Sequence, residues 1–138
     1  MNKFGDTSKE RLETCNWRLQ DIHNHAIGSA PYDYGIACGY RSDEQQQKEY
    51  DEGDSNAKPG ESAHNMKGAD GQPSSGATDI YLYYDGKYWW GDEDQRARDR
   101  MRETMRYLQG VAIGLGYKLD VMPTLRGGVE DLGHCELA

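Results

Sequence analysis

One stretch constrains this chain more than any other. From Glu52 to Gly76 the residues Gly, Ser, Asn, Asp and Pro predominate and apolar side chains almost vanish; the compact run Ala77 to Tyr84, ATDIYLYY, follows at once. Such a density of turn formers predicts a long loop. Loops of that length inside a compact domain usually carry function. The run behind it has the length and the β-branched and aromatic content of a strand, and Asp85-Gly86 before Lys87 to Trp90 predicts a hairpin with a partner strand.

Helical spacing governs the flanks. Thr7 and Glu10 have capping-box separation, and Leu12, Cys15, Leu19, Ile22 and Ala26 recur at threes and fours, which predicts one amphipathic helix of about five turns. Gly28, Ser29 and Pro31 end it, and Tyr34 to Tyr40 is a short strand candidate. Ser42 with Gln45 repeats the capping-box spacing and predicts a short exposed helix from Asp43 to about Asp51. Met101, Met105, Leu108, Ala112 and Leu115 predict the longest helix, from near Asp92 to Gly114 or Gly116. Tyr117 to Val121 and Gly133 to Leu137 are further strand candidates. At 138 residues the expectation is one domain, 1–138, with no repeat or linker.

Charge narrows the function classes. A formal net charge of -8 repels phosphate at a distance, so nucleic acid and anionic membranes are poor partners. The opening MNKFGDTSKERLE lacks the apolar stretch of a secretory signal, and no window reaches the length of a membrane span, so the chain is expected to be made and folded in a cytoplasm without membrane insertion. Cys15, Cys38 and Cys135 contain no CxxC pair, which argues against a disulfide framework or a thiolate zinc site.

Four histidines, His23, His25, His64 and His134, are the other candidates for chemistry. His23 and His25 are two apart on one helix, turned about 200° from each other, so they cannot share a metal and are expected at the helix surface or the core edge. Asp79 interrupts an otherwise apolar strand, and a carboxylate there must be paired, hydrogen-bonded or bound to a metal. With His64 and His134 it would suit an open zinc site of three protein ligands and a water. The residues alone leave a second reading, three scattered polar side chains.

The order Gly39-Tyr40-Arg41-Ser42 with Gln45 and Gln46, then Ser62-x-His64, Ala77-x-Asp79 and Asp131-x-x-His134-x-Glu136-Leu137 resembles the VanY and VanX group of D-Ala-D-Ala peptidases. It resembles still more closely the small phage endolysins of that group, the L-alanyl-D-glutamate peptidases. The likeness runs from Lys3-Phe4-Gly5 through Ser29 to Tyr34 to the last residue. It implies an α+β fold with a small antiparallel sheet flanked by helices, the Hedgehog/DD-peptidase fold. It further implies Zn2+ held by His64, Asp79 and His134, Asp131 as general base, Arg41 facing the reacting carbonyl, and Ser62 and Gln46 against substrate.

The implied activity is hydrolysis of the L-Ala-D-Glu bond in peptidoglycan stem peptides by a monomer. Access to the wall from the host cytoplasm would depend on a holin. A D-Ala-D-Ala carboxypeptidase of the same group is the near alternative, although those enzymes more often carry Glu-x-Trp-His where this chain has Asp131-Leu132-Gly133-His134. A zinc-containing binding module without catalysis is the other, and it would need neither Asp131 nor Arg41. One departure matters: the family pattern is Ser-x-His-x-x-Gly-x-Ala-x-Asp, whereas here His64 and Asp79 stand fifteen positions apart. The extra residues, about Ala69 to Ser75, make Asp70 a rival ligand. Asp79 is preferred for its Ala-x-Asp context and its strand. The loop from about Lys67 to Gly76 is expected to differ from relatives in how it covers substrate. Glu136 falls on the His134 face of its strand and is expected either to support that ligand or to be merely structural. Tyr81, Tyr83, Tyr84, Trp89 and Trp90 are expected in core or sheet surface, with lining of a substrate groove as the alternative.

Overall fold

A computed structural model describes residues 1–138. Its organising element is a strand, β2, at Ala77–Tyr84. Strand alternation sorts its side chains: Thr78, Ile80 and Leu82 are buried towards the helices, while Asp79, Tyr81 and Tyr83 look to the other face. β1, at Asp33–Cys38, pairs antiparallel with one edge of β2 from Asp33 opposite Tyr83 to Cys38 opposite Asp79, with a register shift between Ile36 and Cys38. The other edge of β2 is shared end to end. β5, at His134–Leu137, takes the Ala77 to Asp79 half, and β3, at Lys87–Trp89, takes Leu82 to Tyr84. β4, at Leu119–Val121, pairs with β5.

The helices cover one face of this sheet. α4, at Gln95–Gly114, begins at Asp94, whose carboxylate accepts from the Ala97 N–H, and buries Met101, Met105, Leu108 and Ala112 at the spacing that predicted it. Those side chains join Leu19, Ile22, Ile36, Ile80 and Leu82 in a single core. α3, at Asp43–Asp51, has the capping box at Ser42 and Gln45 expected from their spacing. The hairpin turn at Asp85-Gly86 is also as expected, both residues having positive φ.

The N-terminal helix departs from expectation. It is not one helix of five turns but two, α1 at Asp6–Glu13 and α2 at Trp17–Ala26. The break has a local cause: Asn16 caps α2 through its side chain, and Cys15 forms an isolated bridge with Ser75. Apolar spacing continues across the break because both helices pack on the same core. The capping box expected at Thr7 and Glu10 does not form, since α1 starts after Gly5. His23 is likewise displaced from the expected surface or core edge. It is completely buried, between the Tyr34 hydroxyl and Thr78 Oγ1, each 2.9 Å from a ring nitrogen. His25 is exposed, as expected.

The long loop is tied down at its far end, where the Ser75 N–H donates to the Thr14 carbonyl over 2.9 Å, and at its start. Asn56 Nδ2 donates to the Thr124 carbonyl over 2.9 Å, and Arg126 reaches the Tyr50 carbonyl while its guanidinium covers the Tyr50 ring at 4.0 Å. The segment before β5 and the start of the loop thus face each other across the open face of the sheet. Farther on, Lys67 and Pro73 pair as an antiparallel bridge, Gly71 turns with positive φ, and the Ser74 N–H donates to the Met66 carbonyl over 2.9 Å. The extra residues therefore fold out as a small hairpin of their own.

Candidate metal centre

β2 and β5 meet in a register that sets Asp79 directly opposite His134. Both side chains rise from the face away from the helices, and His134 Nδ1 stands 3.1 Å from Asp79 Oδ1. His64 arrives from the loop. The Ser62 hydroxyl caps the single 3-10 turn Ala63–Asn65 by accepting from the His64 N–H, and the Arg41 N–H donates to the His64 carbonyl over 2.9 Å, so the turn is docked on the end of β1. His64 Nε2 lies 3.3 Å from Asp79 Oδ2 and 3.3 Å from His134 Nδ1. Groups from three remote positions in the chain thus converge: each Asp79 oxygen stands 3.1 to 3.3 Å from one imidazole nitrogen, and those two nitrogens are 3.3 Å apart.

Such spacings suit a tetrahedral zinc ion. Ligands about 2.05 Å from such an ion, at tetrahedral angles, are about 3.3 Å from one another. The tautomers also fit. His64 Nδ1 donates to the Gly39 carbonyl over 2.7 Å, and His134 Nε2 stands 2.9 Å from Glu136 Oε1, so in each ring the other nitrogen is the one that faces Asp79 and is left to a metal. Glu136, left between two roles by its position in the strand, supports the imidazole from behind.

Cys38, which pairs with Asp79 in the β1 register, forms a second possible donor group with His64 and Asp79. Its sulfur faces His64 Nδ1, at 3.9 Å, the nitrogen engaged by Gly39. The sequence held no signal for this neighbour, because only the bulged register brings it there. Asp70, the rival ligand, is exposed at the tip of the small hairpin and accepts from the Gln72 N–H.

Asp131 completes the group on the His134 side. Its Oδ2 is 3.9 Å from His134 Nδ1, and it forms a donor group with Asp79 and His134. Burial, reinforced by the Asp79 charge, pushes its carboxyl up to about 6. Burial disfavours the charged forms of His64 and His134, yet the Asp79 carboxylate outweighs it and holds them at about 10 and about 9. Asp79 itself, although burial favours its neutral form, is kept well below the usual carboxylate range by the two imidazoles.

Arg41 approaches from the opposite side, its Nη2 donating to Asp79 Oδ2 over 3.1 Å. Gln46, expected to touch substrate, is fully buried instead. Its side chain accepts from Arg41 Nη1 over 2.9 Å and donates to Ser55 Oγ and the Ala57 carbonyl, so it holds the guanidinium and the loop together. Ser62 does line the cavity, although its hydroxyl is engaged as the cap. The cavity, about 360 Å³, has Arg41, His64, Asp79, Asp131 and His134 at its floor, and no residue from 67 to 76 in its wall. The loop beyond Lys67 therefore does not cover this site, contrary to expectation: the hairpin folds outward.

The phage L-alanyl-D-glutamate peptidase family matches this chain over residues 1–138. The chain belongs to that family. As a phage L-alanyl-D-glutamate peptidase by family, it is a peptidase acting on peptidoglycan. Its fold is similar to the crystal structure of Serratia marcescens L-Ala D-Glu endopeptidase ChiX, with a TM-score of 0.73 and 15% identity over 100% of this chain and 90% of the other. At that identity the likeness carries the fold. No curated protein matches the chain. Within this peptidase Gly133 is dictated by close approach: a Cβ there would stand 2.6 Å from the Ile80 carbonyl oxygen. The tryptophan common before the last ligand in D-Ala-D-Ala relatives has no room on this backbone.

Proposed function

We propose that this chain is a zinc endopeptidase that hydrolyses the L-Ala-D-Glu bond of peptidoglycan stem peptides, with His64, Asp79 and His134 as ligands. The observation that carries this reading is the convergence of His64, Asp79 and His134 at 3.1 to 3.3 Å, with both outer imidazole nitrogens already engaged. An ion held there supplies a water of lowered pKa and polarises the scissile carbonyl. Asp131 takes a proton from the attacking water and returns it to the D-Glu nitrogen as the C–N bond breaks. Burial favours the protonated form of its carboxyl and so strengthens it as a proton acceptor. Arg41, steadied by Gln46, donates to the carbonyl oxygen as charge develops there.

The monomer acts alone on the wall and reaches it from the host cytoplasm through a membrane-permeabilising holin. No helix is long and apolar enough to cross a membrane. Digestion of purified sacculi followed by mass spectrometry of the muropeptides tests the bond assignment. New L-alanyl carboxyl ends and free D-Glu amines are expected; release of D-Ala instead would overturn it. Metal analysis should find one zinc per chain, lost in Asp79→Ala and kept in Asp70→Ala. Retained zinc in Asp79→Ala would overturn the ligand set.

A further inference from the structure

We infer that the aromatic cluster beside the metal centre, with Trp90 at its middle, is a platform for the muramyl sugar that carries the stem peptide. The inference rests on the L-Ala-D-Glu reading. L-Ala is the first residue of a stem peptide and is joined through a lactyl group to the sugar, so the glycan lies within about two residue lengths, ~7 Å, of the bond to be cut. An enzyme cutting there has to accommodate a pyranose ring close to its catalytic atoms. The sheet offers a place at that distance. Two residues along β2 from Asp79, about 7 Å on the same face, stands Tyr81.

Trp90 packs edge-on against Tyr81 at 5.8 Å, and Tyr88 does so from the neighbouring strand at 5.0 Å. Trp90 is 53% exposed and Tyr88 63% exposed. The Glu93 carboxylate accepts from the Trp90 and Gly91 backbone N–H groups at 2.8 and 2.9 Å, which holds the main chain that carries the indole. Trp89, the next residue back, turns to the opposite face and stacks on Tyr84 at 4.8 Å. The exposed aromatic faces are therefore a property of the catalytic face of the sheet.

This surface is continuous with the catalytic cleft. A second cavity of about 360 Å³ has Asp79 and Asp131 in its wall at one end and Trp90 at the other, with Asp92 and Glu130 beside it. The next depression shares Trp90 with it and adds Tyr81, Tyr88 and Arg11. Aromatic faces pack against the C–H faces of a sugar ring, while carboxylates accept from its hydroxyls. The cleft on the Arg41 side is lined by Ser55, Asn56, Ser62 and acidic groups, with no aromatic side chain among its walls. That arm suits the polar peptide running on from D-Glu, and the aromatic arm suits the glycan.

The test compares two substrates, the disaccharide-linked L-Ala-D-Glu peptide and the same peptide without sugar. The wild-type protein should favour the disaccharide-linked form by about tenfold in kcat/KM, the scale of one aromatic contact. In Trp90→Ala that preference should fall to near one, and Trp90→Phe should keep most of it. Equal use of both substrates by the wild type, or an equal loss on both in Trp90→Ala, would overturn the platform. A direct titration stands apart from activity: the disaccharide alone should shift the Trp90 indole N–H resonance and leave that of Trp89 in place. If neither peptide is cut, the bond assignment fails, and this titration decides the platform by itself, no shift at Trp90 overturning it.

Discussion

Glu136 Oε1 lies 2.9 Å from His134 Nε2, two positions along the same strand, and engages the ring nitrogen that points away from Asp79 and His64. Alternation along β5 puts both side chains on the catalytic face while Cys135 between them is buried against Thr78. Removing such a partner frees the ring to rotate and lowers its basicity, at about 10- to 100-fold in metal affinity. Glu136→Ala should show that loss in a competition titration against a chromophoric chelator, with Glu136→Gln less affected because its amide oxygen still accepts. Unchanged affinity in Glu136→Ala would assign the pair a purely structural role.

Asp131→Asn should keep its zinc and lose activity. It removes a proton acceptor but no ligand, so the expected fall in kcat is about 10²- to 10⁴-fold. Metal analysis and muropeptide release, measured on one preparation, separate the two effects. The pH dependence follows from the same carboxyl: protonated, it cannot accept from water, so kcat/KM declines on the acid side. With the metal-free carboxyl at about 6, and a bound cation lowering it further, the acid limb belongs at or below pH 6. An acid limb above that pH would point to another group.

His23 makes the fold sensitive to mild acid. Burial holds its pKa down to about 4, against 6.5 for the free side chain. Between those values the unfolded chain binds a proton that the folded chain refuses. Its contribution is therefore complete above pH 6.5 and is lost progressively as the pH falls towards 4, amounting to at most about 3 kcal/mol. Urea unfolding at a series of pH values should show this slope in the wild type. His23→Gln, which can still engage Tyr34 and Thr78 but cannot titrate, should flatten it; an unaltered slope would place the acid sensitivity elsewhere.

The small hairpin can be shortened. Because Lys67 pairs with Pro73 and the Ser74 N–H already reaches the Met66 carbonyl, replacing residues 68–72 by a two-residue Asn-Gly turn leaves the path from His64 to Asp79 unchanged. Zinc content should stay at one per chain and muropeptide release within about twofold, the scale of a surface loop change. Loss of zinc would return Asp70 or its neighbours to the ligand set.

Much of this architecture was legible from short range. The Ser42 capping box, the burial spacing of α4, the Asp85-Gly86 hairpin and the alternation that sets Asp79 apart from Thr78 and Ile80 all depend on residues within a few positions of one another. The long N-terminal helix was misread for the same reason. Apolar spacing carries no record of the Asn16 cap or of the distant Ser75 that meets Cys15. The residue types suited to a metal were visible, and a family resemblance chose among them. Tertiary structure alone decided that Asp79 faces His134, that Cys38 lies beside them, that Gln46 is buried behind Arg41, and that the extra hairpin folds away from the cavity. The first two outcomes depend on the register in which β2 is paired with β1 and β5, and a one-residue slip would have sent Asp79 into the core. Register is set by the summed packing of both faces across the whole chain, so no local pattern records it.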